Sequence, residues 1–302
     1  MERLQPLITA DTPLVLMRAH ALMPTLGCYR LYLELCPHGD LHDLIAEHRS
    51  MIGRRDQDGD PIDAALPESV LWSLFERLID AVCILHNGHV EGDEPPKDGW
   101  EREIVHLDIK PVNIFLADPA TDVWPRYPIF KLGDLGHSDE TYDGDPRNPG
   151  NLSRNPNDFF CMGTPGFSAP EQEGRPPGAR RRDYRMSAYT SVWACANVVL
   201  QVMGLETMPE QISYRRGPDR PQRQADVFDS YSEELREVLD WCLDPTPSER
   251  PELSVLRDYI RAFVEVGPEG KDETESLRFR NDRDDWINYR RHLKYELWAQ
   301  TG

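Results

Sequence analysis

With 302 residues, the chain is long enough for one large core or two modest ones. Its 39% hydrophobic content and seven tryptophans exclude a disordered chain. Thirty-four Lys and Arg against 53 Asp and Glu leave a formal charge of −19, which argues against nucleic acid or an anionic membrane surface as a partner.

Residues 26–35 alternate, with Tyr29, Leu31, Leu33 and Leu35 on one face and Arg30, Tyr32 and Glu34 on the other. Period two with aromatic enrichment predicts a strand, and an earlier strand over 14–17 is expected to pair with it. After Cys36-Pro37-His38-Gly39-Asp40 the period lengthens, and Leu41, Leu44 and Ile45 predict a short helix near the glycine turn. His38 and His42 lack a further ligand at metal-site spacing and read as ordinary polar histidines. Residues 53–65 form a polar insertion in which Asp56, Asp58 and Asp60 imitate the start of a calcium loop. Pro61 and Pro67 stand where such a loop needs glycine and glutamate, so it reads as solvated.

Leu71, Leu74, Leu78, Ala81 and Leu85 recur at helical spacing, and Gly88 supplies a stop. A second polar insertion covers 91–103, and residues 137–160, rich in Asp, Asn, Pro and Gly, are expected to be mobile. Arg180-Arg181-Arg182 reads as a solvated loop. The most apolar segment, 192–205, predicts a helix buried on nearly all sides. It is interrupted by Asn197 and Gln201 and is too short to span a bilayer. Amphipathic helices follow over 232–242, capped by Ser232, and over 252–264. Past Gly267 the chain is highly charged, and Trp286, Tyr289, Leu293 and Leu297 predict a final helix.

The six cysteines include no Cys-x-x-Cys pair, the pattern of thiols in a reducing compartment. No basic segment leads into an apolar run at the amino terminus, so no signal peptide is expected. Together these features predict an intracellular protein, cytoplasmic or nuclear.

The chemistry is concentrated in three motifs. His106-Leu107-Asp108-Ile109-Lys110-Pro111-Val112-Asn113 is followed by Asp134-Leu135-Gly136 and then by Ala169-Pro170-Glu171. In that order and at those separations they resemble the catalytic loop, metal-binding loop and activation-segment end of a eukaryotic protein kinase. The resemblance covers about residues 14–265 and implies an α+β, kinase-like fold with a mainly helical C-lobe. It divides the chain into residual N-lobe strands up to the hinge (1–35), a C-lobe (36–265) and a charged tail with a helix (266–302).

The resemblance also assigns roles. Phosphoryl transfer from ATP needs an in-line hydroxyl, metal on the phosphates and an acceptor for the hydroxyl proton. Asp108 stands where the family places that acceptor, and Lys110 takes the form seen in serine/threonine kinases, where a lysine contacts the transferred phosphate. Asn113 and Asp134 would hold Mg²⁺, for which hard oxygen ligands are suited. Leu33-Glu34-Leu35-Cys36 resembles the hinge, with Leu33 as gatekeeper and the Cys36 backbone facing adenine; Phe115 would lie under the base. Thr164, in Gly163-Thr164-Pro165-Gly166-Phe167, falls in the substrate-facing loop, while His106, Glu171 and Arg250 are structural, the last two as an internal ion pair.

The departures are equally specific. Thirty-three residues precede Glu34, no lysine precedes Lys97, and neither a glycine-rich loop nor the ATP-gripping lysine is matched. Leu107 replaces the catalytic-loop arginine, and Ser191 stands where the family has an aspartate that bonds the catalytic-loop backbone. The resemblance therefore implies a serine/threonine-type kinase with ATP, Mg²⁺ and a protein substrate as partners, impaired in this chain. The alternative is a pseudokinase serving as a scaffold or binding module. A small-molecule phosphotransferase is disfavoured by Glu171 and Arg250, which mark the protein-directed branch.

Overall fold

The apolar segment that dominates the sequence becomes the centre of the molecule. In the computed structural model, which describes residues 4, 12–55, 59–60, 64–90, 100–118, 128–148, 162–173, 185–206 and 230–266, helix α4 spans Ala188–Met203 and is buried from Thr190 to Met203. It starts before 192 and stops short of Leu205, which leaves the helix with φ of 50°.

Around α4 pack the helices that the apolar spacing predicts. Helix α2 (Glu68–Asn87) buries Leu71, Leu74, Leu78, Ala81 and Leu85 and contacts both α4 and α6 (Leu253–Val266). Gly88 closes α2 in the left-handed conformation at φ 79°, its N–H donating to the Ile84 carbonyl, as a glycine cap does. Trp72 stacks on Phe263 with centroids 4.7 Å apart, and Arg257 of α6 donates to Asp80 of α2 at 2.6 Å. Helix α5 (Glu233–Cys242) is capped by Ser232, whose Oγ accepts from Leu235 N–H. Helix α1 (Leu41–Ser50) is capped by Asp40, whose carboxylate accepts from Asp43 N–H at 2.9 Å.

Three two-stranded antiparallel sheets complete the described residues: β1–β2 (Met17–Met23 with Cys28–Leu33), β3–β6 (Glu103–Val105 with Asp139–Thr141) and β4–β5 (Ile114–Ala117 with Ile129–Leu132). The first strand is displaced from the expected 14–17. Leu14 and Val15 are buried and attach to β5, through a Leu14–Leu132 bridge and a Val15 N–H bond to Leu132 O. The segment that pairs with β2 begins at Met17 and runs through Arg18-Ala19-His20-Ala21, whose alternation rests on alanines too small to mark an apolar face. Leu26 likewise belongs to the short 3-10 turn Pro24–Leu26 rather than to β2.

The stretch 137–160 differs from its expected mobility as far as it is described. Beyond β6, Asn148 is buried and clips to Met186, donating to its carbonyl at 2.7 Å and accepting from its N–H at 2.9 Å. Arg147 binds Asp145 at 3.0 Å and Asp139 at 3.3 Å. Polar residues typical of a loop here supply the bonds that fix it. Residues 149–160, the Arg180–Arg182 cluster, Asp56 and Asp58, most of 91–103 and the helix expected around Trp286 and Leu293 lie outside the described residues. No described helix is long and apolar enough to cross a membrane.

The architecture is α+β: a helical body with small two-stranded sheets, and β1–β2 leading into it through residues 34–39.

Candidate active site

The catalytic-loop motif joins β3 to β4 and closes in a 3-10 turn at Pro111–Asn113. His106, fully buried, braces it from below. Burial lowers its pKa below the usual 6.5, so the ring is neutral near pH 7. Its Nε2–H donates to Gly133 O at 3.0 Å while Nδ1 accepts from Asp108 N–H at 3.3 Å. One ring thereby ties the catalytic loop to the residue preceding Asp134.

Asp108 is 5% exposed and both of its carboxylate oxygens are engaged. Lys110 Nζ lies 2.8 Å from Oδ2, and Thr164 Oγ1 donates to Oδ1 at 2.7 Å. Lys110 also donates to Thr164 Oγ1 at 2.7 Å. Asn113 Nδ2 donates to the Asp108 carbonyl at 2.9 Å and to Oδ2 at 3.3 Å, and its Oδ1 takes no part in those bonds. Asp108, Lys110, Asn113 and Thr164 therefore form one connected group drawn from two distant parts of the sequence.

Asp134 follows Gly133, whose N–H donates to Asn113 O at 2.9 Å. A Cβ on Gly133 would lie 2.8 Å from the Phe115 ring and 2.9 Å from Val15 Cγ2, so only glycine fits between them. Asp134 itself is left-handed at φ 58°, and its Oδ1 accepts from Gly136 N–H at 3.3 Å. Its side chain is exposed.

The hinge segment turns its side chains in a way the sequence did not indicate. Glu34 reaches inward, accepting from Leu16 N–H at 2.7 Å and from Lys131 Nζ at 2.8 and 3.0 Å. Lys131 is completely buried. Lys110 and Lys131 are the lysines among the described residues, and both are committed to carboxylates. Residues 36–39 are pinned to β4, His38 N–H donating to Leu116 O and Leu116 N–H to Gly39 O. Burial, together with the nearby Glu34, pushes the Cys36 thiol up to about 11 against a smaller opposing pull from Lys131, so it is an un-ionised thiol at pH 7. Leu33, at the end of β2, is 48% exposed. His38 and His42 part company: His38 is buried against Asp118 at 3.2 Å, while His42 joins Asp40 and Asp43 at the start of α1.

Glu171 and Arg250 form a bidentate pair at 2.8 and 2.9 Å, both fully buried. Arg250 also donates to the carbonyls of Asp244 and Tyr189 at 2.8 and 2.9 Å, so the guanidinium is broadly satisfied, as burial requires.

Two residues that sequence reasoning missed complete the site. Lys131 is the first, hidden because a lysine in an apolar strand gives no periodic signal. Gln172 is the second. It is 1% exposed, and its Nε2 donates to Leu107 O at 2.9 Å and to Met162 O at 3.0 Å, while its Oε1 accepts from Ala169 N–H at 2.8 Å. Leu107, where an arginine was expected, is buried with Val105 and Met186 and holds φ at 64°, a strained value for a branched side chain. Gly163 approaches the same Leu107 carbonyl so closely that a Cβ would stand 2.4 Å from it. Ser191 is buried in α4 but makes no hydrogen bond to this loop; the loop is gripped instead through its carbonyl, by Gln172.

The loop thus sets a buried carboxylate against a lysine and a hydroxyl, with Asp134 next to the glycine that bonds Asn113. Residues 19–259 match the family described as protein kinase domain, and the chain belongs to the eukaryotic protein kinase superfamily. Among its relatives is Serine/threonine-protein kinase Nek1 of Toxoplasma gondii, 28% identical over 240 residues, covering 74% of this chain and 12% of that one. Probable serine/threonine-protein kinase nek2 of Dictyostelium discoideum is 26% identical over 234 residues, covering 76% and 44%. G2-specific protein kinase fin1 of Schizosaccharomyces pombe is 29% identical over 194 residues, covering 61% and 21%. The chain thus spans less than half the length of each of these relatives.

Proposed function

We propose that this domain carries the acceptor half of a serine/threonine-type phosphotransfer site, and that the 302-residue chain on its own is catalytically impaired because its phosphate-clamping half is weak. The observation that carries the first part is the Asp108–Thr164–Lys110 group. A carboxylate that already accepts a hydroxyl proton donor at 2.7 Å is placed to accept one from a substrate serine or threonine. The Lys110 ammonium lies 2.8 Å from the same carboxylate. Lys110 would then neutralise charge on the phosphoryl group in transit.

The donor set suits Mg²⁺. Asn113 Oδ1 and the Asp134 carboxylate are hard oxygens on adjacent backbone, and Asn113 is oriented by its own N–H bonds to Asp108. Asn113 and Asp134 would hold the ion, whose charge would offset that of the nucleotide phosphates. The triphosphate itself fits less well. Among the described residues no ammonium is left to grip it, since Lys131 is sequestered by Glu34. Positioning supplies most of the catalysis in such a reaction, so losing the grip costs rate more than it costs fold.

Phosphate transfer from radiolabelled ATP to serine, threonine and tyrosine peptides tests this reading. Slow transfer confined to serine and threonine, abolished in Asp108→Asn, is the expected result. A rate comparable with that of an ordinary kinase, about 1 per second or faster, would overturn the impairment. Total absence of transfer would favour the second reading, a pseudokinase acting as a binding module. The specific observation behind that reading is the uncovered apolar surface of β1–β2.

A further inference from the structure

The β1–β2 hairpin carries large apolar side chains in the open. Leu22 is 59% exposed, Tyr29 72%, Leu31 53% and Leu33 48%. The register sets Leu22 opposite Tyr29 and His20 opposite Leu31, which gathers these side chains on one face of the ribbon. Arg30 and Tyr32, also exposed, alternate onto the other face. Among the described residues β2 pairs with β1 alone, and none of them bonds its outer backbone edge, the kind of edge that another strand can join.

The charge of this hairpin is opposite to that of the chain. Acidic residues number 53 of 302, yet residues 12–33 contain none and carry Arg18, His20 and Arg30. Arg18 and Arg30 are exposed and pair with no carboxylate among the described residues. An open strand edge, an apolar face on one side and unpaired arginine on the other define a complementary occupant residue by residue.

We propose that β2 accepts a strand from a partner protein, in a segment that alternates large apolar residues with aspartate or glutamate. Backbone bonds along the outer edge of β2 would hold it. Its apolar residues would extend the Tyr29–Leu31–Leu33 face, and its carboxylates would fall beside Arg30. A second copy of this chain is the poorer occupant. An isologous β2–β2 contact would set two acid-free basic strands against each other and bring together two molecules of charge −19. The proposal is independent of phosphotransfer and stands whether or not the chain transfers phosphate.

The test uses the full 302-residue chain and a fluorescein-labelled ten-residue peptide alternating glutamate with valine and leucine, beside its lysine-for-glutamate counterpart. Binding is followed by anisotropy and by hydrogen exchange at the outer-edge amides of residues 28–33. The expected result is saturable binding of the glutamate peptide only, with those amides slowing on addition. Arg30→Glu, an exposed change that leaves the fold intact, should weaken binding about tenfold or more and move the preference toward the lysine peptide. Equal binding of both peptides, or of neither, would overturn the proposal. So would slow exchange at residues 28–33 in the free protein: independent of concentration it would mean that the chain covers its own hairpin, and rising with concentration it would mean self-association.

Discussion

The catalytic loop and the β1–β2 hairpin are built on opposite terms. On the catalytic-loop side the supporting polar groups are buried and matched: His106 between Gly133 and Asp108, Gln172 on three backbone groups, Arg250 on a carboxylate and two carbonyls. On the β1–β2 side the apolar residues are outside, with Tyr29 and Leu31 more than half exposed. One side is over-determined by packing and hydrogen bonds, while the other relies on a two-stranded ribbon, a unit that is marginal alone in water. Buried and matched polar groups are therefore concentrated in the helical body, while the hairpin keeps large apolar side chains in the open.

That contrast breaks most visibly at Arg250. Arg250→Ala leaves the Glu171 carboxylate buried without a partner and should cost about 3–5 kcal/mol, read as a drop in the urea midpoint at unchanged slope. A loss below about 1 kcal/mol would mean that the pair is not the brace it looks like.

Gln172→Leu comes next. It strands the Leu107 and Met162 carbonyls and should cost about 2 kcal/mol. It should also speed hydrogen exchange at Asp108 and Gly163 beyond what the global loss explains. Equal acceleration across all helices would reduce Gln172 to an ordinary core residue and remove it from the support of the catalytic loop.

A smaller effect is expected from His106 on acidification. Its folded pKa is depressed from 6.5 by burial, so below 6.5 the unfolded chain takes up a proton that the folded one refuses. The contribution is complete above 6.5 and is lost as pH falls toward the folded value. Urea titrations between pH 7.5 and 5 should show stability falling with acid, and His106→Gln should flatten part of that slope. An unchanged slope would place the proton uptake elsewhere.

The smallest change is expected on the hairpin. Tyr29→Ser should alter stability by no more than about 0.5 kcal/mol, as exposed substitutions do. A loss of 2 kcal/mol would show that the face is covered in solution.

Much of the helical body was legible in the sequence because its elements are long and periodic. The stripe from Leu71 to Leu85, the glycine stop at Gly88 and the Ser232 cap each left a local signature, and each is present. The motif residues could be named because their chemistry is tied to fixed spacing. Most of the misses depend on partners distant in sequence. β1 is different: its partner is the next strand, but the alternation of Arg18 to Ala21 rests on small alanines, and Leu14 was read as strand while it serves the core. Glu34 was legible as part of the hinge-like segment, but not the contact that draws its side chain inward to Lys131, 97 residues away. Gln172 holds a carbonyl 65 residues distant, and nothing in Ala169-Pro170-Glu171-Gln172 announces it.

The central claim is an assembled acceptor site beside a weak phosphate grip, and calorimetric titration of Mg·ATP into the full 302-residue chain tests it most directly. The account predicts no saturation below roughly millimolar nucleotide, the affinity range left to hinge contacts and a metal without preorganised amides or a free ammonium. Saturable binding in the micromolar range that vanishes in Asp134→Ala would contradict it, by showing that the groups described here suffice to hold the triphosphate.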